Sequence, residues 1–318
     1  MTRVATGAAP GKVILFGEHA VVHGRPAIAC TLPDRGVAAT CLESPQGPRL
    51  DVPEWGQSVR PAPADRTLEA VPRAFALALE AAGLPFDAPV LVTMEGNLPP
   101  SVGMGSSAAF SVALVRALAD FAGRALGESA LLDAAARLEG VFHGDPSGLD
   151  HTTVALGGCV HYRRGVPGAT RRIGLGAPLP VAVGFTARAG NTKQLVGRLK
   201  ARAAAHPGAF GPVFDAIGAL ADEGERALVA GDLERLGVLF DVNHGLVNAL
   251  GVSTLVCEVM VARAREAGAL GAKLTGAGGG GSIIAVCASG AEADAVARAL
   301  ETLPDVRAFS TRLASPTG

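Results

Sequence analysis

This chain is poor in lysine, tryptophan, tyrosine and net charge. Of its 28 basic residues only Lys12, Lys193, Lys200 and Lys273 are lysine; tryptophan and tyrosine occur once each; the formal net charge is −1. A nucleic-acid binder needs clustered excess positive charge, so a small-molecule partner is expected instead. No stretch offers the roughly 20 uninterrupted apolar residues of a membrane span. The apolar run Val13–Phe16 is too short for the core of a secretory leader. The five cysteines, Cys30, Cys41, Cys159, Cys257 and Cys287, form no C-x-x-C pair. That argues against a disulfide framework or structural zinc, and for a reducing, cytoplasmic setting with all five buried as small hydrophobes. No nucleic acid and no membrane are expected as partners. The oligomeric state stays open, with a homodimer as one arrangement.

What is plentiful is apolar substance. Hydrophobic residues make up 49% of 318 positions, ample for a full core, and the length suits two domains or one large one. Val13–Phe16, Ala27–Leu32 and Val37–Leu42 are short apolar segments broken by Gly and Pro, and read as strands. Residues 44–65 hold five prolines and read as a loop or loose hairpin. Leu68–Ala82 has a helical pattern, and Pro89–Glu95 that of a strand. Helices are expected over about Gly105–Ala122 and Ser129–Phe142. HGDPSG (143–148) breaks the second, and Asp145 with Pro146 suits the start of a further helix, which Gly157-Gly158 stops. PVAVGFTA (180–187) reads as a buried strand, and helices dominate from Thr192 to about Ala267. The last fifty residues read as strand, glycine turn, strand (Ser282–Cys287), helix (Ala291–Leu300) and strand (Val306–Thr311). Strands and helices come in runs, so the fold class is α+β, with a boundary near residue 175.

Three glycine-rich segments invite a ligand. In NLPPSVGMGSSAAFSVAL (97–114) a strand, a glycine loop and a helix follow in order. Gly103 and Gly105 let backbone come close to a ligand, and the helix offers unpaired N–H groups to an anion. This is not G-x-x-x-x-G-K-[ST], for no lysine follows the second glycine. Hydroxyls at Ser106 and Ser107 stand in the first turn, where one can reach a phosphate-bound cation. A serine-capped helix packed through its small residues is the plain alternative. In KLTGAGGGGSIIAV (273–286), five of residues 276–281 are glycine. That is more than a hairpin turn needs, although a flexible turn stays open. In APGKVILFGEHAVVHG (9–24), Lys12 opens a buried-type strand and Glu18-His19 follows it. A charge at a strand start is otherwise simply solvated.

Carboxylates come from a fourth segment. Glu139 falls near the end of one helix and Asp150 in the first turn of the next. One can hold a cation and the other a substrate hydroxyl, or Asp150 can merely complement the helix dipole.

PPSVGMGSSAA (99–109) resembles the phosphate-loop motif of the galactokinase–homoserine kinase–mevalonate kinase–phosphomevalonate kinase (GHMP) superfamily. The resemblance runs from Ala9 to about Val286. Within the superfamily, APGKVILFGEHAVVHG, HGDPSGLD, NTKQLV (191–196) and KLTGAGGGGS look like the mevalonate kinase branch. The resemblance implies a ribosomal protein S5 domain 2-like N-terminal domain carrying ATP (1–175) and a ferredoxin-like C-terminal domain (176–318). It implies ATP and Mg²⁺ as cofactors and mevalonate as the small-molecule substrate, phosphorylated on its C5 hydroxyl. Carried over by position, Asp150 is the catalytic base and Lys12 the cation beside it. Pro99, Ser101, Gly103, Met104, Gly105, Ser106, Ser107 and Ala108 hold the nucleotide, and Ser107 and Glu139 hold the metal. Lys12, Glu18, His19, Asp150, Thr192, Gly278 and Gly279 line the substrate or the phosphates, glycines 278–280 bracing the phosphate loop. Two departures from the pattern, Phe16 before GEH and His151 after Asp150, bear on substrate choice. Another kinase of the superfamily, acting on phosphomevalonate or a sugar, and a catalytically inactive ligand-binding relative are the open alternatives.

Overall fold

The computed structural model describes residues 4–63, 69–99, 102–186, 192–279 and 281–315. In chain order the elements begin with β1 (Ala5–Phe16), β2 (Pro26–Glu43), β3 (Arg49–Val52), β4 (Gln57–Val59), α1 (Ala70–Ala82) and β5 (Val90–Gly96). Then come α2 (Ser106–Phe121), α3 (Glu128–His143), α4 (Leu149–Leu156), β6 (Cys159–Arg163), β7 (Arg171–Ile173) and β8 (Leu179–Thr186). The rest are α5 (Thr192–Ala205), α6 (Pro207–Ala230), α7 (Leu233–Ala249), α8 (Leu255–Glu266), β9 (Gly271–Leu274), β10 (Ser282–Val286), α9 (Gly290–Glu301) and β11 (Val306–Leu313). The class is α+β. No helix among the described residues is long and apolar enough to cross a membrane.

Two compact units result. One comprises Met1–Gly11, Asp34–Leu98 and Gly105–Leu156; the other Lys12–Pro33, Pro99–Met104 and Gly157–Gly318. The single cut expected near residue 175 therefore does not reproduce this division, because the chain passes from one unit to the other several times.

In the first unit β3 pairs with β4 and, in parallel, with β5, which pairs antiparallel with the later part of β2 (Val37↔Gly96 to Glu43↔Val90). Residues 44–65, expected as a loop or loose hairpin, thus carry the β3–β4 hairpin. Helix α2 is buried almost all round, from Ala108 to Ala119, which makes it the centre of this core and not a surface helix. Its small residues let the neighbours in. A Cβ on Gly7 of β1 would sit 2.3 Å from the Ala117 amide nitrogen and 2.5 Å from the Ala113 carbonyl oxygen, so only glycine fits there. Phe110 on α2 stacks on Trp55 at 5.0 Å and meets Phe142 edge-on at 5.7 Å.

In the second unit β8 to β11 form an antiparallel sheet in the order β11-β8-β10-β9. Numbered along the chain this is 4-1-3-2. Helices intervene between the first and second strands and between the third and fourth, the ferredoxin-like arrangement that the resemblance implied. Every residue of β8 is buried, as its unbroken apolar run suggested. Helix α9 buries Ala293, Val296, Ala297 and Leu300, a stripe at helical spacing, and Ser289 caps it by accepting from the Glu292 N–H at 3.2 Å.

Several expectations need correction. Ala27–Leu32 and Val37–Leu42 belong to one strand, β2. Pairing with β6 ends at Cys30 and pairing with β5 starts at Val37, so the missing N–H of Pro33 costs neither ladder a bond. Helix α4 begins at Leu149, not at Asp145 and Pro146. Gly148, at φ 94°, breaks any earlier helix, and the Ser147 hydroxyl accepts the Leu149 N–H at 3.3 Å. All five cysteines are buried, yet Cys30 and Cys159 are disulfide-bonded, standing directly opposite each other where β2 pairs with β6. The argument from cysteine spacing against a disulfide fails, because strand register and not sequence separation brings these two together.

Candidate active site

In the first unit, Gly105 is the residue before α2 and takes a left-handed conformation, φ 73°, with no side chain capping the helix. Among the described residues no side chain caps the N–H groups of the first turn, which suits them to an anion. Ser106 and Ser107 stand there half-buried, and Ala108 behind them is buried. On α3, Glu139 is buried. One turn further, His143 brings its Nε2 to 3.0 Å from the Ser107 Oγ and 3.9 Å from the Glu139 Oε2. The hydroxyl and carboxylate named from the sequence as metal ligands thus gather at one imidazole. Both are hard oxygen donors of the kind a small divalent cation takes. Among the described residues no group of three or more His, Cys, Asp or Glu can hold a metal. Asp150 lies in the first turn of α4, half-buried. His151 beside it is buried with its Nδ1 lacking a hydrogen-bond partner among the described residues, and burial lowers its pKa.

In the second unit, Lys12 is not the start of a strand but an interior residue of β1, buried to 1% exposure. Its N–H donates to the Met104 carbonyl at 2.9 Å and its Nζ to the Gly103 carbonyl at 3.2 Å. The Ser282 hydroxyl donates to the Val102 carbonyl. A Cβ on Gly276 would come within 3.4 Å of Gly103, so two glycine backbones run close together there. Thr275 ties the same glycine-rich segment to β1, accepting from the Ile14 N–H at 3.0 Å and donating to its carbonyl at 2.9 Å. Residues 102–104 are therefore held by Lys12, Gly276 and Ser282. Gly278 and Gly279, expected to brace this loop, also lie close to other segments: a Cβ would meet the Val252 carbonyl oxygen at 2.4 Å on the first and the Leu195 Cδ2 at 2.8 Å on the second. Thr192 is the first residue of α5, Pro99 precedes the described gap, and Ser101 and Gly280 lie outside the described residues.

Glu18 and His19 part company. Glu18 is buried, with one carboxylate oxygen taken by the Lys273 ammonium and the other accepting from Asn243 Nδ2 at 3.1 Å. It was expected beside the substrate. These two bonds fix the position of its carboxylate. His19 has φ 62°, a conformation most side chains avoid. Its buried Nε2 has no hydrogen-bond partner among the described residues. A strained backbone and an orphaned buried ring nitrogen are what a ligand-facing residue shows.

Burial pushes the His19 imidazole down to about 4 from 6.5, with a hydrogen bond to the Ala277 backbone opposing and the His23 charge adding. The ring is neutral at pH 7. Between these two values the unfolded chain binds a proton that the folded one refuses, so stability falls as pH drops through that window. The expected loss from pH 7 to pH 4 is on the order of 2–3 kcal/mol. Urea unfolding at both pH values should show a smaller loss in His19→Asn, which tolerates a positive φ. An identical pH dependence in the variant would contradict the buried neutral ring.

Sequence reasoning missed His143, Asn243, Lys273, Thr275 and Ser282. His143 had a signal, its spacing of four from Glu139, which puts the two on one helix face. Lys273 had another, as one of only four lysines.

Two family models match: GHMP kinases N terminal domain over residues 69–158 and GHMP kinases C terminal over residues 225–305. The mevalonate kinase of Pyrococcus furiosus is 35% identical over 301 residues, covering 87% of each chain. The chain belongs to the GHMP kinases. As a kinase of this family it uses ATP. This GHMP kinase is also 36% identical to the mevalonate kinase of Aeropyrum pernix over 326 residues, 99% of this chain and 97% of that one. Among solved structures, the L. major mevalonate kinase in complex with R-mevalonate superposes with a TM-score of 0.85 at 30% identity, covering 100% of this chain and 98% of that one.

Proposed function

We propose that this GHMP kinase transfers the γ-phosphoryl group of ATP to the C5 hydroxyl of (R)-mevalonate. The observation that carries the reading is the Ser107–His143–Glu139 cluster at the uncapped start of α2. It offers anion-binding amides and hard oxygen donors side by side. The substrate follows from relatives and a superposable structure that bear the name mevalonate kinase.

The donor set fits Mg²⁺. A hydroxyl and a carboxylate suffice as protein ligands, since Mg²⁺ fills its remaining positions with phosphate oxygens and water. Bound there, the ion would neutralise charge on the transferred phosphoryl group. The chain's own residues do the rest. The amides of Gly103 to Ser107 and the Ser106 hydroxyl hold the phosphates, with Pro99, Met104 and Ala108 as the frame of that loop. Asp150 accepts the proton of the attacking hydroxyl. Lys12, one of whose three Nζ donors goes to the Gly103 carbonyl, offsets negative charge on the attacking oxygen. His19 presents to the substrate the ring nitrogen that has no partner among the described residues. Phosphoryl transfer is mostly positioning and charge neutralisation, so this division of labour suffices.

ADP release tests the reading, with mevalonate, phosphomevalonate, galactose and homoserine as acceptors. Mevalonate should be turned over with the highest kcat/KM. Faster turnover of another acceptor would assign a different kinase of the family, and no turnover of any would mean an inactive relative.

Glu139→Gln should raise the Mg²⁺ concentration needed for half-maximal activity and depress kcat, because a neutral amide is a poorer ligand for a hard cation. If activity falls while the Mg²⁺ dependence is unchanged, Glu139 is structural and the metal assignment is wrong.

A further inference from the structure

A serine hydroxyl has one proton and two lone pairs. To bind a cation it must present a lone pair and send its proton elsewhere. Ser107 stands 3.0 Å from the His143 Nε2, within hydrogen-bond reach, whereas Glu139 Oε2 at 3.9 Å from the same nitrogen is beyond it. Glu139 is 1% exposed and His143 55%, so the carboxylate lies inside the pair and the ring at its rim. An imidazole with its proton on Nδ1 is an acceptor at Nε2. In that tautomer the ring takes the Ser107 proton, turns the hydroxyl lone pairs away from itself and makes the oxygen a better donor. In the other tautomer Nε2–H would occupy a lone pair and compete with the ion.

We propose that His143 is a positioning residue: its Nε2 accepts the Ser107 hydroxyl proton and so orients that oxygen for the metal ion. The proposal rests on the assignment of Ser107 and Glu139 as metal ligands and goes one layer beyond it. Partners of this outer kind fix the orientation and basicity of a ligand atom, and removing one typically weakens metal binding by about 10- to 100-fold. The sequence spacing is consistent with such a part. Glu139 and His143 are four apart on α3, so one rigid helix presents both the ligand and the group that orients the other ligand.

The test is a binding measurement, not an assay of turnover. Mn²⁺ serves as a paramagnetic stand-in for Mg²⁺, and its free concentration is followed by electron paramagnetic resonance in the presence of the full chain and a non-hydrolysable ATP analogue. His143→Ala should weaken Mn²⁺ binding by about 10- to 100-fold. Affinity for the analogue in excess chelator should stay within about twofold, since the metal is then out of play. His143→Gln places an amide oxygen near the Nε2 position and should restore most of the loss, which a merely structural role would not predict. In a Ser107→Ala background, His143→Ala should have no further effect, because residues that act through one another are not additive. An undiminished Mn²⁺ affinity in His143→Ala overturns the proposal, as does an equal loss in both backgrounds. If Ser107→Ala alone leaves Mn²⁺ binding intact, the ligand assignment itself falls and the proposal falls with it, a result distinct from a normal Ser107 effect without a His143 effect.

Discussion

Asp150→Asn should lower kcat by about 10²–10⁴-fold while leaving affinity for the ATP analogue nearly unchanged. Asp150 is half-buried in the first turn of α4, so the substitution keeps the size and helical position of the side chain. What it removes is the negative charge and the proton acceptor. An amide can still hydrogen-bond the attacking hydroxyl, which is why mevalonate binding should suffer much less than turnover. Single-turnover kinetics with mevalonate and ATP would separate the chemical step from product release. A variant that keeps more than about a tenth of wild-type kcat would rule out the base role.

Lys273→Met should cost about 3–5 kcal/mol of folding stability, the range seen when one member of a buried ion pair is removed. Lys273 and Glu18 are both buried and in contact, and the Lys273 Nζ also donates to the Leu274 carbonyl at 2.7 Å and lies 5.7 Å from the centre of the Phe240 ring. Burial pushes the ammonium below the ordinary lysine range, and the charge and hydrogen bond of Glu18 pull it back. The pair holds because each member answers the other. Without the lysine, Glu18 is left charged in the interior with the Asn243 amide as its remaining described partner. The double variant Lys273→Met with Glu18→Gln should recover part of the loss. Urea unfolding of the two variants and the wild type decides the matter. A single-variant loss below about 1 kcal/mol, or a double variant no more stable than the single, would show that the pair is not the anchor described here.

Much of the site could be read along the chain, because it is local. Gly105, Ser106 and Ser107 precede an apolar run, so a loop opening a buried helix is visible without any tertiary information. Asp150 lies in the first turn of α4 as its segment suggested, although that helix starts later, since only the backbone shows that Gly148 has a positive φ. The β9–β10 turn and the buried strand β8 were legible for the same local reason. What was hidden depends on pairing at long range. Glu18 and Lys273 are 255 positions apart, and nothing in either segment tells which carboxylate is turned inward. Cys30 and Cys159 meet only through the register of β2 on β6. Lys12 looked like a strand end because β1 begins with small residues whose alternation, Ala5, Gly7 and Ala9 inward, carries little apolar signal.

The measurement that bears most directly on the account is the position of the phosphate in the product. After incubation with ATP, Mg²⁺ and (R)-mevalonate, the new phosphorus resonance should couple to the two protons of C5, because the primary hydroxyl is the nucleophile in the proposed transfer. A phosphate on the tertiary C3 oxygen, which carries no proton on its carbon to couple, or ADP formed at the same rate without mevalonate, would contradict it.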